Sequence, residues 1–222
     1  MDFSNSEESD AVTYKIILIG DSSVGKTCLF RKLTTGKYSE KNISTIGIDR
    51  KSFSLKVKVL ENDEEVEKNF IIQLWDTAGQ ERFRSVTKGY YKDSQGLLLM
   101  YDITNKDTFY NLDKWINGVK DSLGDEDKHS ENKYIIILLG NKLDLAKSGN
   151  RMVSTEEAEK KCKDYDIIWG GECSAKDFDV EDLKKKFEIY TKILYKKLGH
   201  NATRSQTVKN IEIAEKKSKC FC

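Results

Sequence analysis

GDSSVGKT, Gly20 to Thr27, begins where the apolar run Ile16-Ile17-Leu18-Ile19 ends. It matches the pattern G-x-x-x-x-G-K-[ST], in which glycines let the backbone curl until successive N–H groups point at phosphate oxygens. Ser22, Ser23, Val24 and Gly25 would supply those groups, Lys26 a point charge for the outer phosphates, and Thr27 a hydroxyl for Mg²⁺. This much suits any nucleoside triphosphate. A second string, NKLD at Asn141 to Asp144, follows another apolar run, Ile135 to Leu139, and narrows the base. The Asp144 carboxylate can accept from both the ring N–H and the exocyclic amine of guanine, a donor pair that adenine lacks. Together the two strings specify a guanine nucleotide.

Ile16 to Ile19, Leu97 to Tyr101 and Ile135 to Leu139 are nearly continuous apolar runs, the pattern of parallel strands covered on both faces, and helical stretches separate them. Phe53, Leu55, Val57 and Val59 alternate with Ser and Lys instead, and Phe70, Ile72 and Leu74 follow after ENDEEVEK at 61–68. An antiparallel hairpin at a sheet edge is expected there, with the acidic stretch as a solvated loop. Ser154 with Glu157 predicts a capping box that opens a helix, and Val180, Leu183, Phe187, Tyr190, Leu194 and Leu198 keep helical spacing. A mixed α/β sheet wrapped by helices follows, with ligand at the carboxyl ends of the strands, where both strings sit.

With 222 residues, 38% hydrophobic and 34% charged, the chain has room for one domain and a tail. No apolar run is long enough to cross a membrane. Lys and Arg number 38 against 37 Asp and Glu, so no nucleic-acid partner is indicated. Five cysteines, at 28, 162, 173, 220 and 222, show no CxxC pairing, and the odd count points to a reducing compartment, the cytosol. Residues 1–13 read as a polar lead, 14–198 as the nucleotide domain and 199–222 as a tail. Cys28 and Cys162 read as small core or boundary residues. GDEDKHSENK at 124–133 reads as a second solvated loop.

Between the two strings lie segments that would change shape on hydrolysis. WDTAGQERF runs from Trp75 to Phe83. Asp76 there is placed to hold Mg²⁺ through water, Gly79 to offer a backbone N–H to the γ-phosphate, and Gln80 to orient the attacking water. Thr45, in ISTIGID, can give Mg²⁺ its hydroxyl and the γ-phosphate its N–H. These strings, the pair Tyr90-Tyr91, YDIT at Tyr101 to Thr104 and the final CFC resemble the Rab family of Ras-superfamily small GTPases.

The resemblance implies a P-loop GTPase domain on a mixed, mostly parallel six-stranded sheet with helices on both faces. It assigns Tyr38 to an aromatic contact on the base edge, Cys28 to the same pocket, and Ser174, Ala175 and Lys176 to the loop that meets the guanine oxygen beside Asn141, Lys142 and Asp144. Slow phosphoryl transfer to water follows, by positioning and charge, with no arginine finger evident in the phosphate loop or the Thr45 segment. The implied partners are effectors in the GTP state, an exchange factor, a GTPase-activating protein and a prenyl-extracting chaperone. Cys220 and Cys222 match a CxC ending for double geranylgeranylation, which would hold the protein on the cytosolic face of intracellular membranes. Two other readings remain open at this level: a nucleotide-locked scaffold with little turnover, and a P-loop small-molecule kinase. Three features depart from the family habit. Arg50 stands where an aromatic is usual, the hairpin is long, and Trp169-Gly170-Gly171 precedes Glu172 where an extended apolar residue is common.

Overall fold

A computed structural model describes residues 11–38, 48–77, 89–123 and 134–198. Thr45, Gly79, Gln80, Cys220 and Cys222 lie outside the described residues. The elements are β1 (Val12–Ile19), α1 (Lys26–Thr35), β2 (Ile48–Glu61), β3 (Glu64–Thr77), β4 (Gly96–Asp102), α2 (Lys106–Tyr110), α3 (Leu112–Leu123), β5 (Ile135–Asn141), α4 (Thr155–Tyr165), β6 (Ile168–Glu172) and α5 (Val180–Leu198). A short helical turn, Leu143–Leu145, follows β5. The six strands form one sheet in the order β2-β3-β1-β4-β5-β6. Only β2 and β3 pair antiparallel among these neighbours. The mixed, mostly parallel sheet expected from the sequence is therefore the sheet observed.

Alternation along β1 distributes its side chains to two apolar layers. Tyr14, Ile16 and Leu18 pack with Leu29 and Leu33 of α1 and with Leu183, Phe187 and Leu194 of α5. Ile17 and Ile19 pack with Leu112, Trp115 and Val119 of α3 and with Ala158 and Cys162 of α4. Burying a residue of this size contributes about 1.5–3 kcal/mol, so a strand apolar on both sides needs helices on both sides. The capping box at the start of α4 is present: the Glu157 N–H donates to Ser154 Oγ and the Ser154 N–H to Glu157 Oε2.

Two expectations change. The stretch at 61–68 is not a loop: β2 and β3 stay in register to the pair Glu61 and Glu64, and only Asn62 and Asp63 turn the chain. Both have left-handed φ, 49° and 68°, as a two-residue hairpin turn requires. Charge did not break the strand because its tip stands beyond the core, where polar side chains cost nothing, and Lys58 lies directly opposite Glu67. β1 also opens earlier than expected, at Val12, which pairs with Phe70 inside the stretch read as the lead.

Candidate functional site

β3 and β1 are neighbours in the sheet and β5 lies one strand further on, across β4; the chain leaves each of the three carrying part of one site. After β1, Ser23 (φ 62°) and Gly25 (φ 97°) adopt left-handed backbone, which turns N–H groups to the inside of the curl. α1 begins at once, with no side chain capping its first turn and no acidic residue in it. A helix start without a side-chain cap or an acidic residue is suited to an anion. Gly25 admits no replacement, because a Cβ would lie 2.2 Å from Asn141 Nδ2.

Lys26 is 4% exposed, and its Nζ donates to Gly20 O (2.8 Å) and Asp21 O (2.6 Å). Burial pushes its ammonium down to about 8, with Asp76 and Asp21 pulling the other way. Asp76, at the end of β3, is 1% exposed. Burial raises its carboxyl above the ordinary range, while a hydrogen bond from Thr27 and the nearby Lys26 charge lower it. Its Oδ1 is buried without a hydrogen-bond partner among the described residues. A buried carboxylate oxygen left over beside a threonine hydroxyl is a donor set that suits Mg²⁺. No group of three His, Cys, Asp or Glu among the described residues could hold a metal by itself. A cation here would need the phosphates as further ligands, as Mg²⁺ in nucleotide sites does.

The Asn141 amide joins the two strings. Its Nδ2 donates to Val24 O (2.8 Å) in the phosphate loop, and its Oδ1 accepts from the Ala175 N–H (3.0 Å) after β6. Asp144 Oδ1 accepts from Ser174 Oγ at 2.7 Å, and Ser174 Oγ in turn accepts from the Asp177 N–H. Lys142 has a left-handed φ of 71°, uncommon for a side chain of this size, and its Nζ pairs with Asp102 Oδ2 at 2.6 Å. Asp102 escaped the sequence reading, although it lies in YDIT. Val24, Lys26, Thr27, Cys28, Asn141, Lys142, Asp144, Ser174 and Ala175 are thus brought together, and Lys176 O accepts from Lys32 Nζ at 3.4 Å. Ser22 and Ser23 are exposed on the loop, and Tyr38 is half-buried just beyond α1. Cys28 is half-buried, and burial raises its thiol. Cys162 and Cys173 are buried, with thiols pushed up to about 12. They are structural, as read for Cys162.

On the β2 side, Trp75 is flanked by cations. Lys15 Nζ lies 4.7 Å and Arg50 Cζ 5.7 Å from its ring centroid, and the Tyr90 ring is 6.0 Å away. Arg50 pairs with Trp75 across the hairpin and is exposed. The basic residue at the departure from family habit is therefore part of a cation–π stack.

Similarity to known proteins agrees with this geometry. The Ras family model matches residues 15–196. Ras-related protein Rab-26 of Mus musculus is 43% identical over 157 residues, 70% of this chain and 54% of the relative. Ras-related protein Rab-10 of Caenorhabditis elegans is 40% identical over 163 residues, 73% and 72% of the two chains. Ras-related protein Rab-8B of Homo sapiens is 41% identical over 154 residues, 69% and 66%. The chain spans about half the length of the Rab-26 relatives it matches. Because the family match covers every described strand from β2 to β6 and the nucleotide strings lie where those strands end, the chain belongs to the Ras family, and within it to the Rab proteins.

Proposed function

We propose that the chain is a guanine-nucleotide switch that binds GTP with Mg²⁺, hydrolyses it slowly to GDP and phosphate, and regulates vesicle traffic from the cytosolic face of a membrane. The observation that carries the reading is the Asn141 amide, which holds the phosphate loop at Val24 and the Ala175 loop at once. A triphosphate and its base would be gripped from both ends by one rigid unit. Lys26 would meet the outer phosphates, and Thr27 and Asp76 would hold Mg²⁺ with Thr45. When bound, the ion would neutralise charge that develops on the phosphates. Asp144, oriented by Ser174, would accept from guanine, while the Lys142 stem and Tyr38 would flank the base. Gly79 and Gln80 would meet the γ-phosphate and the attacking water.

Rab membership also supports partners of the family kind: effectors for the GTP state, an exchange factor, an activating protein and a prenyl-extracting chaperone. The Arg50, Trp75 and Tyr90 cluster suits an effector that presents a carboxylate or an aromatic face. Geranylgeranyl groups on Cys220 and Cys222 would supply the membrane anchor.

Asp144→Asn tests the base assignment. An amide would set a donor against guanine's ring N–H and suit xanthine's additional carbonyl. GTP affinity should fall at least about a hundredfold, the cost of losing charge-assisted hydrogen bonds, while xanthosine triphosphate gains. Competition binding with the two nucleotides measures both, and unchanged preference for GTP overturns the reading.

A further inference from the structure

Asp21 places a carboxylate inside the loop that receives phosphate, at a position the motif leaves open. Its side chain is held by two donors from the opposite layer of the fold. Trp115 Nε1 donates to Oδ1 and Asn111 Nδ2 to Oδ2, each at 2.8 Å. Asn111 presents its amide nitrogen because its own Oδ1 accepts from Lys114 Nζ at 3.0 Å. Trp115 is 2% exposed and packs in the α3 layer, and Lys161 of α4 bonds to Asp113, two residues earlier on α3. These contacts fix α3 against the sheet. On the other side of the same residue, Asp21 O accepts from Lys26 Nζ. One residue therefore links the phosphate-facing lysine to α3.

Leaving a carboxylate among phosphates would be repulsive, since like charges that share a site oppose one another. Here two neutral donors engage both oxygens, which orients the charge and keeps the loop backbone where Lys26 needs it. We propose that Asn111 and Trp115 are positioning residues for nucleotide retention: by clamping the Asp21 carboxylate they hold it off the phosphates and tie the shape of the phosphate loop to α3. The proposal rests on the guanine-nucleotide reading of the site. It makes α3 a lever on nucleotide release, because a shift of this helix is felt first at Asp21.

The test is the release rate of a fluorescent GDP from the full chain. Trp115→Phe keeps the aromatic volume and removes the N–H donor; Asn111→Leu removes the other donor on a half-buried residue and serves if the first variant does not fold. Each should speed release roughly tenfold to a hundredfold, the range set by losing one hydrogen bond to a charged group. The increase should be larger for GTP than for GDP, because the unclamped charge opposes the more highly charged nucleotide. In an Asp21→Ala background the same substitutions should add little, since there is no carboxylate left to restrain. Release at the wild-type rate from Trp115→Phe and Asn111→Leu overturns the proposal. Equal acceleration with and without Asp21 also overturns it, because that is what a purely structural role of α3 produces. A wild-type chain that holds no guanine nucleotide overturns instead the site reading on which the proposal stands.

Discussion

Lys26 carries the sharpest physical consequence at the scale of one residue. Surrounded by the protein alone, its ammonium sits near 8 because burial disfavours the charge, against an ordinary value of 10.5. Between those two values the unfolded chain binds more protons than the folded one, so stability rises with pH through that window. The full penalty applies below about 8. Phosphate oxygens beside Lys26 would favour the charged form, and nucleotide binding should then take up a proton wherever the free site has lost one. Affinity should fall as pH climbs above 8, with a slope approaching about one log unit per pH unit. Calorimetry in buffers of different ionisation heat should show proton uptake growing from pH 7 to 8.5, and a buffer-independent heat across that range would refute it. The role of Lys26 was legible in its motif. Its pairing with Gly20 O and Asp21 O was not, because carbonyl positions depend on how the loop folds back.

At the scale of the element, the β2 and β3 hairpin shows why charge misleads. Glu61, Glu64, Glu65 and Glu67 look like a loop in sequence, yet strand pairing continues through them: Glu64, Glu65 and Glu67 are exposed, Glu61 is paired with Lys68, and inter-strand hydrogen bonds do not depend on the charge a side chain carries. The turn itself is tight, and its second residue, Asp63, has a φ of 68°. Glycine reaches that backbone without the Cβ penalty but frees the unfolded chain, so Asp63→Gly should leave stability within about 1 kcal/mol of wild type, while Asp63→Val should destabilise the protein by about 1–2 kcal/mol. Paired denaturant melts measure both, and a Val variant as stable as wild type would count against the turn assignment. β6 illustrates the opposite case. The unusual Trp169-Gly170-Gly171 run forms a strand with an irregular register against β5. Gly170 lies so close that a Cβ would meet Ile137 Cγ2 at 2.7 Å, and its carbonyl accepts from Tyr190 Oη at 2.8 Å. The small residue is demanded first by Ile137 and the Leu138 carbonyl of β5 and then by Tyr190 of α5, contacts that no local pattern reveals.

For the whole molecule, α5 ends at Leu198, and the proposed anchor cysteines lie beyond it. No helix among the described residues is long and apolar enough to cross a membrane. Deleting residues 220–222 should leave GTP binding and hydrolysis at wild-type levels and move the protein from the membrane fraction to the cytosol. Persistent pelleting with membranes after the deletion would sink the lipid-anchor reading. The sequence by itself determined the sheet, its two covered faces, the hairpin at its edge and the nucleotide strings, because apolar periodicity and short loop motifs are local properties of a chain. The tertiary structure alone decided which distant groups meet. It joined Asn141 to Val24 and Ala175, paired Lys142 with Asp102, set Arg50 over Trp75 and brought Trp115 and Asn111 to Asp21. Such contacts follow from strand order and helix packing, and those arise only when the two apolar layers close over the sheet.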